Sequence, residues 1–179
     1  MSPPDRVVRA ISEDASFRVI AAVTSDTVRG VLAAQKPPAA SAPAIAGLVT
    51  SAVLVRETMA PGQRVQAIWQ TDAGQLVADS FPDGASRGLV QLRGGRTTWP
   101  GGGSLRVMRS LPSGRVLEGI VDVPGSVHVA DAVGAYMDRS EQTTCAVGSA
   151  VKMDGDRVVA AADTSCSSYP RWSARRSKA

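Results

Sequence analysis

The stretch from Pro43 to Leu92 constrains this chain more than any other. Ile45, Leu48, Val49, Ala52, Val53 and Val55 cover more than one face of the helix predicted over Pro43–Met59. A helix apolar nearly all round has to be buried between other elements. Pro61-Gly62 stops it, and two strands follow, Arg64–Thr71 and Gln75–Phe81, joined by the turn Asp72-Ala73-Gly74. A second turn, Pro82-Asp83-Gly84, leads into the short strand Arg87–Leu92. A buried helix beside consecutive hairpins predicts helices packed on antiparallel sheet, the α+β arrangement.

The flanks extend the same plan. Val7–Ile11 and Phe17–Thr24 are β-branched segments around the polar turn Glu13–Ser16 and predict a hairpin. Ser25 or Asp26 is expected to cap a helix that runs to about Gln35 and ends at Lys36-Pro37-Pro38, with Ala39–Ala42 as linker. Residues 93–103 are weakly patterned and Gly-rich. Leu105–Ser110 and Arg115–Asp122 pair across Leu111–Gly114, and Pro124-Gly125-Ser126 opens a helix to about Arg139 with Ser126 as its cap. Thr143–Met153 and Asp156–Ala162 pair across Asp154-Gly155, a strong hairpin signal. The expectation is one α+β domain of antiparallel hairpins and about three helices, one of them largely buried.

At 179 residues the chain supports one domain with its own core. The formal charge of +4 suggests nucleic acid until it is located. From Asp163 onward there are four basic residues, Arg171, Arg175, Arg176 and Lys178, against one acid, so the body is close to neutral. The longest apolar stretch, Ala42–Val55, is shorter than a membrane span needs, and Met1–Asp5 lacks the character of a signal peptide. A cytoplasmic protein is expected. Two cysteines, Cys145 and Cys166, make neither a disulfide framework nor a four-ligand zinc site.

No constellation in the sequence adds up to catalysis. His128, the only histidine, lies three residues before Asp131 on a predicted helix, Ser126 is explained as a cap, and no nucleophile elbow exists. Gly101–Gly103 lacks the Lys-Ser/Thr of a phosphate loop and is expected to be a mobile loop; Arg93-Gly94-Gly95-Arg96 is expected to be a turn bearing solvated arginines. Cys145 falls on a strand, as a small buried hydrophobe, and Cys166 in an exposed tail. A binding protein is favoured over an enzyme.

Five segments, in order, carry a family resemblance: Arg6-Val7-Val8-Arg9-Ala10, Ala44 to Ala52, Gly62-Gln63-Arg64-Val65, Ser86-Arg87-Gly88-Leu89-Val90 and Ser140-Glu141-Gln142. Together they resemble the N-terminal domain of the heat-shock protein 33 family, the redox-regulated holdase chaperones, from about Asp5 to Ala162. Arg87, Gly88, Ser140, Glu141 and Gln142 match motif positions with structural roles. Leu89 departs from the usual aromatic, and Thr97–Gly103 is unusually Gly-rich. The resemblance implies an ATP-independent chaperone that takes unfolded or partly folded clients on exposed apolar surface; it leaves the client face unassigned and leaves room for a homodimer. Full-length members carry a C-terminal zinc domain with Cys-x-Cys and Cys-x-x-Cys as redox switch, and this chain contains neither motif. No cofactor is expected here. The alternative is a small nucleic-acid-associated module using the basic tail and Arg93–Arg96.

The domain is expected over residues 1–162, with 163–179 as a disordered tail. The apolar pattern stops at Ala162, where family members continue an apolar strand. Back-translating Asp163–Ser173 with suitably chosen synonymous codons and shifting by one base gives Gly-Tyr-Ile-Val-Gln-Leu-Leu-Pro-Glu-Val-Glu. The tail is therefore expected to be out of frame, leaving the Asp156–Ala162 strand with an open edge.

Overall fold

The computed structural model describes residues 4–125 and 127–168. The described residues form β1 (Arg6–Ile11), β2 (Phe17–Val23), α1 (Ser25–Gln35), α2 (Ala42–Thr58), β3 (Arg64–Thr71), β4 (Gly74–Ser80), β5 (Ser86–Leu92), β6 (Gly103–Ser110), β7 (Val116–Val123), α3 (Val129–Arg139), β8 (Cys145–Asp154) and β9 (Arg157–Ser168). The strands build two antiparallel sheets, one in the order β1-β2-β9-β8 and the other β5-β4-β3-β6-β7. The helices fill the space between them. α2 touches β2, β8 and β9 of the first sheet and β3, β4 and β5 of the second; α1 bridges β5 and β9, and α3 bridges β6, β7 and β8. This is the expected α+β domain, with α2 as its buried helix.

α2 and its preceding 3-10 turn (Ala39–Ser41) make a 20-residue run, Ala39–Thr58, that by length and composition would pass for a membrane span. The sequence expectation stopped short of that because the apolar stretch Ala42–Val55 is shorter than a span needs. Sixty-seven per cent of the apolar window is buried inside the fold, so packing between two sheets accounts for its hydropathy. Its buried Thr50 is matched: Oγ1 bonds the Ala46 carbonyl at 2.9 Å and Thr24 Oγ1 at 2.8 Å.

Several expectations need correction. The start of α1 is not capped by Ser25 or Asp26. The Asp5 carboxylate accepts from the Asp26 and Thr27 amides at 2.8 and 2.7 Å, while Ser25 Oγ accepts from the Ala161 amide. α3 begins at Val129, with the His128 amide donating to Asp131 Oδ2 at 3.3 Å; Ser126, the expected cap, lies outside the described residues. The Gly-rich segment expected to be mobile is tied to the core. Trp69 Nε1 donates to the Gly102 carbonyl at 2.7 Å, and Trp99 packs edge-on against Trp69 with ring centroids 5.7 Å apart. Gly103 has φ +84, and a Cβ there would lie 2.0 Å from the Gln70 carbonyl oxygen, so only glycine can enter β6 there.

The largest correction concerns β9. The strand does not stop at Ala162 but runs to Ser168, in the interior of its sheet: Val23–Phe17 of β2 pair with Ala162–Ser168 on one side, and Ala150–Cys145 of β8 pair with Ala162–Ser167 on the other. Two backbone ladders hold the strand whatever its side chains are. Its burial alternates with period two, Asp163, Ser165 and Ser167 inward and Thr164, Cys166 and Ser168 outward. The period is there, written in polar residues. The expected open edge beside Asp156–Ala162 is absent, Cys166 belongs to a strand, and residues 169–179 of the expected tail lie outside the described residues.

Candidate functional site

The strands β1 and β2 are apolar at both parities, Val7, Val8, Ala10 and Ile11 opposite Phe17, Val19, Ile20, Ala21, Ala22 and Val23. A sheet with one face on the core can bury only one parity. Ile20, Ala22, Val158 and Ala161 take the buried side, which leaves the other parity facing out. Register sets those outward residues in transverse rows. Arg6, Val23, Ala162 and Ala150 form one row, Val8, Ala21, Thr164 and Gly148 the next, and Ala10, Val19, Cys166 and Ala146 a third. Phe17 and Ser168 extend the face beyond the third row.

Of these positions only Arg6 carries a charge. Val8 is 55% exposed, Phe17 53% and Val19 39%. The β8–β9 half is floored by Ala, Gly, Thr, Cys and Ser, and the β1–β2 half stands higher on Val and Phe. Four strands about 4.8 Å apart and seven residues deep make a face of roughly 400 Å², at the size where an apolar patch on a monomer is commonly functional. Lys152, opposite Ala160, marks its margin.

The inner side of the same strands is electrostatically unusual. Asp163 is 2% exposed. Burial pushes its carboxyl up from 3.8 to about 6, against the pull of the Ser149 and Ser51 hydroxyls. Ser51 donates to Oδ2 at 2.5 Å, while Oδ1 has no hydrogen-bond partner among the described residues. No cation faces it.

His128 lines a cleft of about 450 Å³ with Trp69, Trp99, Gly47, Val127, Val129 and Ser149. No carboxylate lines it, and no hydrogen bond joins His128 to Ser149 among the described residues, so the cleft assembles no nucleophile–base pair. Arg96 of the basic Gly-rich turn is paired with Asp72 at 3.0 Å. Cys145 and Cys166 sit on opposite faces, Cys145 paired with Ser167 and packed on the core, Cys166 paired with Ala146 and exposed. Burial pushes the Cys145 thiol up. Among the described residues no three of His, Cys, Asp and Glu come together.

The motif residues hold the scaffold together. Arg87 Nε donates to Asp79 at 2.8 Å, and Arg64 reaches the same buried carboxylate at 2.7 Å. Gly88 lets β5 approach the helices, since a Cβ there would meet Val31 Cγ1 at 2.7 Å and Val49 Cγ2 at 3.1 Å. Ser140 closes α3, Glu141 accepts from Tyr136 Oη and pairs with Arg109, and Gln142 turns the chain with φ +52. Sequence reasoning missed the open sheet face. Its signal was the apolar character of Phe17–Val23 at both parities.

Two antiparallel sheets enclosing a buried helix, with Arg6 the one charge in the three outer rows of the first sheet, define an α+β domain with a largely apolar sheet platform. The family model described as Hsp33 protein matches residues 5–164. The chain belongs to that family. A 33 kDa chaperonin from Thermus thermophilus is 30% identical over 169 residues, which cover 84% of this chain and 48% of that protein. The crystal structure of the 33 kDa chaperonin (heat shock protein 33 homolog) from Thermotoga maritima has the same fold, with a TM-score of 0.76 at 20% identity over 90% of this chain and 60% of that one. The chain thus spans about half the length of the curated relative it matches.

Proposed function

We propose that this chain is an ATP-independent holdase that binds unfolding proteins on the outer face of the β1-β2-β9-β8 sheet. The observation that carries the reading is that face: three transverse rows across four strands with Arg6 as their one charge, and Val8, Phe17 and Val19 substantially exposed. Unfolding clients expose apolar segments of their own, and burying those against the platform needs no nucleotide and no nucleophile. Membership of the Hsp33 family and the name of the Thermus relative support the same direction. The reading places the protein in the cytoplasm, where its two free cysteines stay reduced. Binding by the platform alone does not call on cysteine–zinc chemistry.

Light scattering of a heat-unfolding client, followed with and without the protein in reducing and in oxidising buffer, tests this. Suppression is expected in both, and its loss is expected in Val19→Asp and Ala150→Asp, which put a carboxylate on either half of the face. Equal suppression by both variants, with their circular dichroism unchanged, would remove the platform from the mechanism.

The inward row Asp163, Ser165, Ser167 also supports an out-of-frame origin for the segment that begins there, as does a family match that ends at residue 164. Nucleotide sequence across the Ala162 codon decides it; an intact frame in independent isolates sinks the idea.

A further inference from the structure

We propose that the free edge of β1 is a strand-addition site, taking an extended segment of an unfolded client by backbone pairing; this rests on the holdase reading and names how the client is held. β1 is the outer strand of its sheet. The other edge strands are backed by helices, β8 by α3, β5 by α1 and α2, and β7 by α3, whereas among the described residues no helix is packed along β1 to a comparable extent. All of its residues except the half-buried Val7 are exposed, with Val8 and Ile11 at 55% and 59%. Arg9 reaches α2 through its ion pair with Glu57, and Val7 lines a cleft with Val53 and Glu57 of that helix.

The ladder fixes which backbone groups are open. The Ser12 amide donates to the Phe17 carbonyl at 2.9 Å, and Ser12 continues the β1–β2 register. Antiparallel pairs alternate between bonded and unbonded positions. Arg6, Val8 and Ala10 therefore point their N–H and C=O at β2, and Val7, Arg9 and Ile11 point theirs away from the sheet. Three donor–acceptor pairs, spaced two residues apart, match the bonding groups of one more strand and of no helix.

Charge decides between two candidate strands. β1 carries Arg6 and Arg9 and no acid. In the two-fold register that would pair all three open positions of two copies, Val7 meets Ile11 and one Arg9 stands directly opposite the other, each with a charge only partly met by a Glu57 that also pairs with Arg56, a destabilising like-charge pair. An apolar client segment with an acidic residue opposite Arg9 avoids that conflict. The added strand would continue the platform sideways, since Val8 and Ala10 already belong to its rows.

The test uses reduced, carboxymethylated α-lactalbumin as a permanently unfolded probe and amide exchange measured by NMR on the ¹⁵N-labelled protein. At saturation the Val7, Arg9 and Ile11 amides are expected to slow by about tenfold or more. Ile11→Pro removes one outward N–H and no β1–β2 bond, and is expected to weaken probe binding severalfold with an unchanged thermal midpoint. Bound probe with those three amides exchanging as before overturns the edge and leaves the face as the sole contact. Protection that rises with protein concentration in the absence of probe assigns the edge to a second copy and overturns the proposal. A probe that does not bind at all overturns the holdase reading itself, and this one with it. Should Ile11→Pro fail to fold, the exchange measurement on the unsubstituted protein still decides.

Discussion

Asp163 makes the stability of this fold depend on pH in a direction opposite to that of most carboxylates. Its carboxyl titrates at about 6 in the folded chain, raised chiefly by burial from 3.8. Because the folded form holds the proton more tightly than the unfolded one, the group's contribution is fully present below about pH 4. It declines as pH rises from 4 through 6 and is gone above about 7. Two units correspond to about 3 kcal/mol, a large share of the 5–15 kcal/mol typical of a domain. Asp163→Asn keeps an acceptor for the Ser51 hydroxyl and removes the titration. Urea unfolding followed by far-UV circular dichroism between pH 4 and 8 should give curves for the two proteins that lie close at pH 4 and separate by about 3 kcal/mol by pH 7, the asparagine form being the more stable. Subtracting one from the other cancels every other titrating group. A difference that stays flat across the range would refute the argument, because it would mean that the buried carboxyl has found compensation in the fold.

Two further substitutions test the scaffold. Gly88→Ala places a methyl group 2.7 Å from Val31 Cγ1 and 3.1 Å from Val49 Cγ2; it should cost about 1–3 kcal/mol, read as a lowered thermal midpoint, and no change would mean that α1 yields freely. Asp5→Ala removes the acceptor of the Asp26 and Thr27 amides and should cost about 1 kcal/mol, with faster exchange at those two amides as its local signature.

How much was legible followed from where the signal lay. α2 announced itself because Ile45, Leu48, Val49 and Val55 leave no polar face, and the hairpins because Asp72-Ala73-Gly74 and Asp154-Gly155 are turn sequences with a backbone reason to be there. The second half of β9 was hidden, since hydrophobic periodicity cannot register an inward row of Asp163, Ser165 and Ser167. The cap of α1 was hidden because Asp5 comes from 21 residues upstream of Asp26, beyond any local rule. Trp99 looked like a loop residue until Trp69 gave it a partner. The platform was half visible: Phe17–Val23 could be recognised as a strand, but which of its two apolar faces the core would leave bare depended on β9 and α2, and those pairings are not local.

The position of β9 has a consequence for how the platform comes into being. Val23 pairs with Ala162, and Phe17 with Ser168, so β1 and β2 emerge from the ribosome long before the strand that completes their sheet. At typical elongation rates that interval is roughly ten to thirty seconds. Throughout it the hairpin Arg6–Val23 has both strand edges unpaired, and the row of Ile20 and Ala22 lies open together with the outer face that the finished sheet keeps exposed. On the holdase reading, a nascent copy resembles the substrate of a finished one, and the first unfolded chain such a protein would meet is its own.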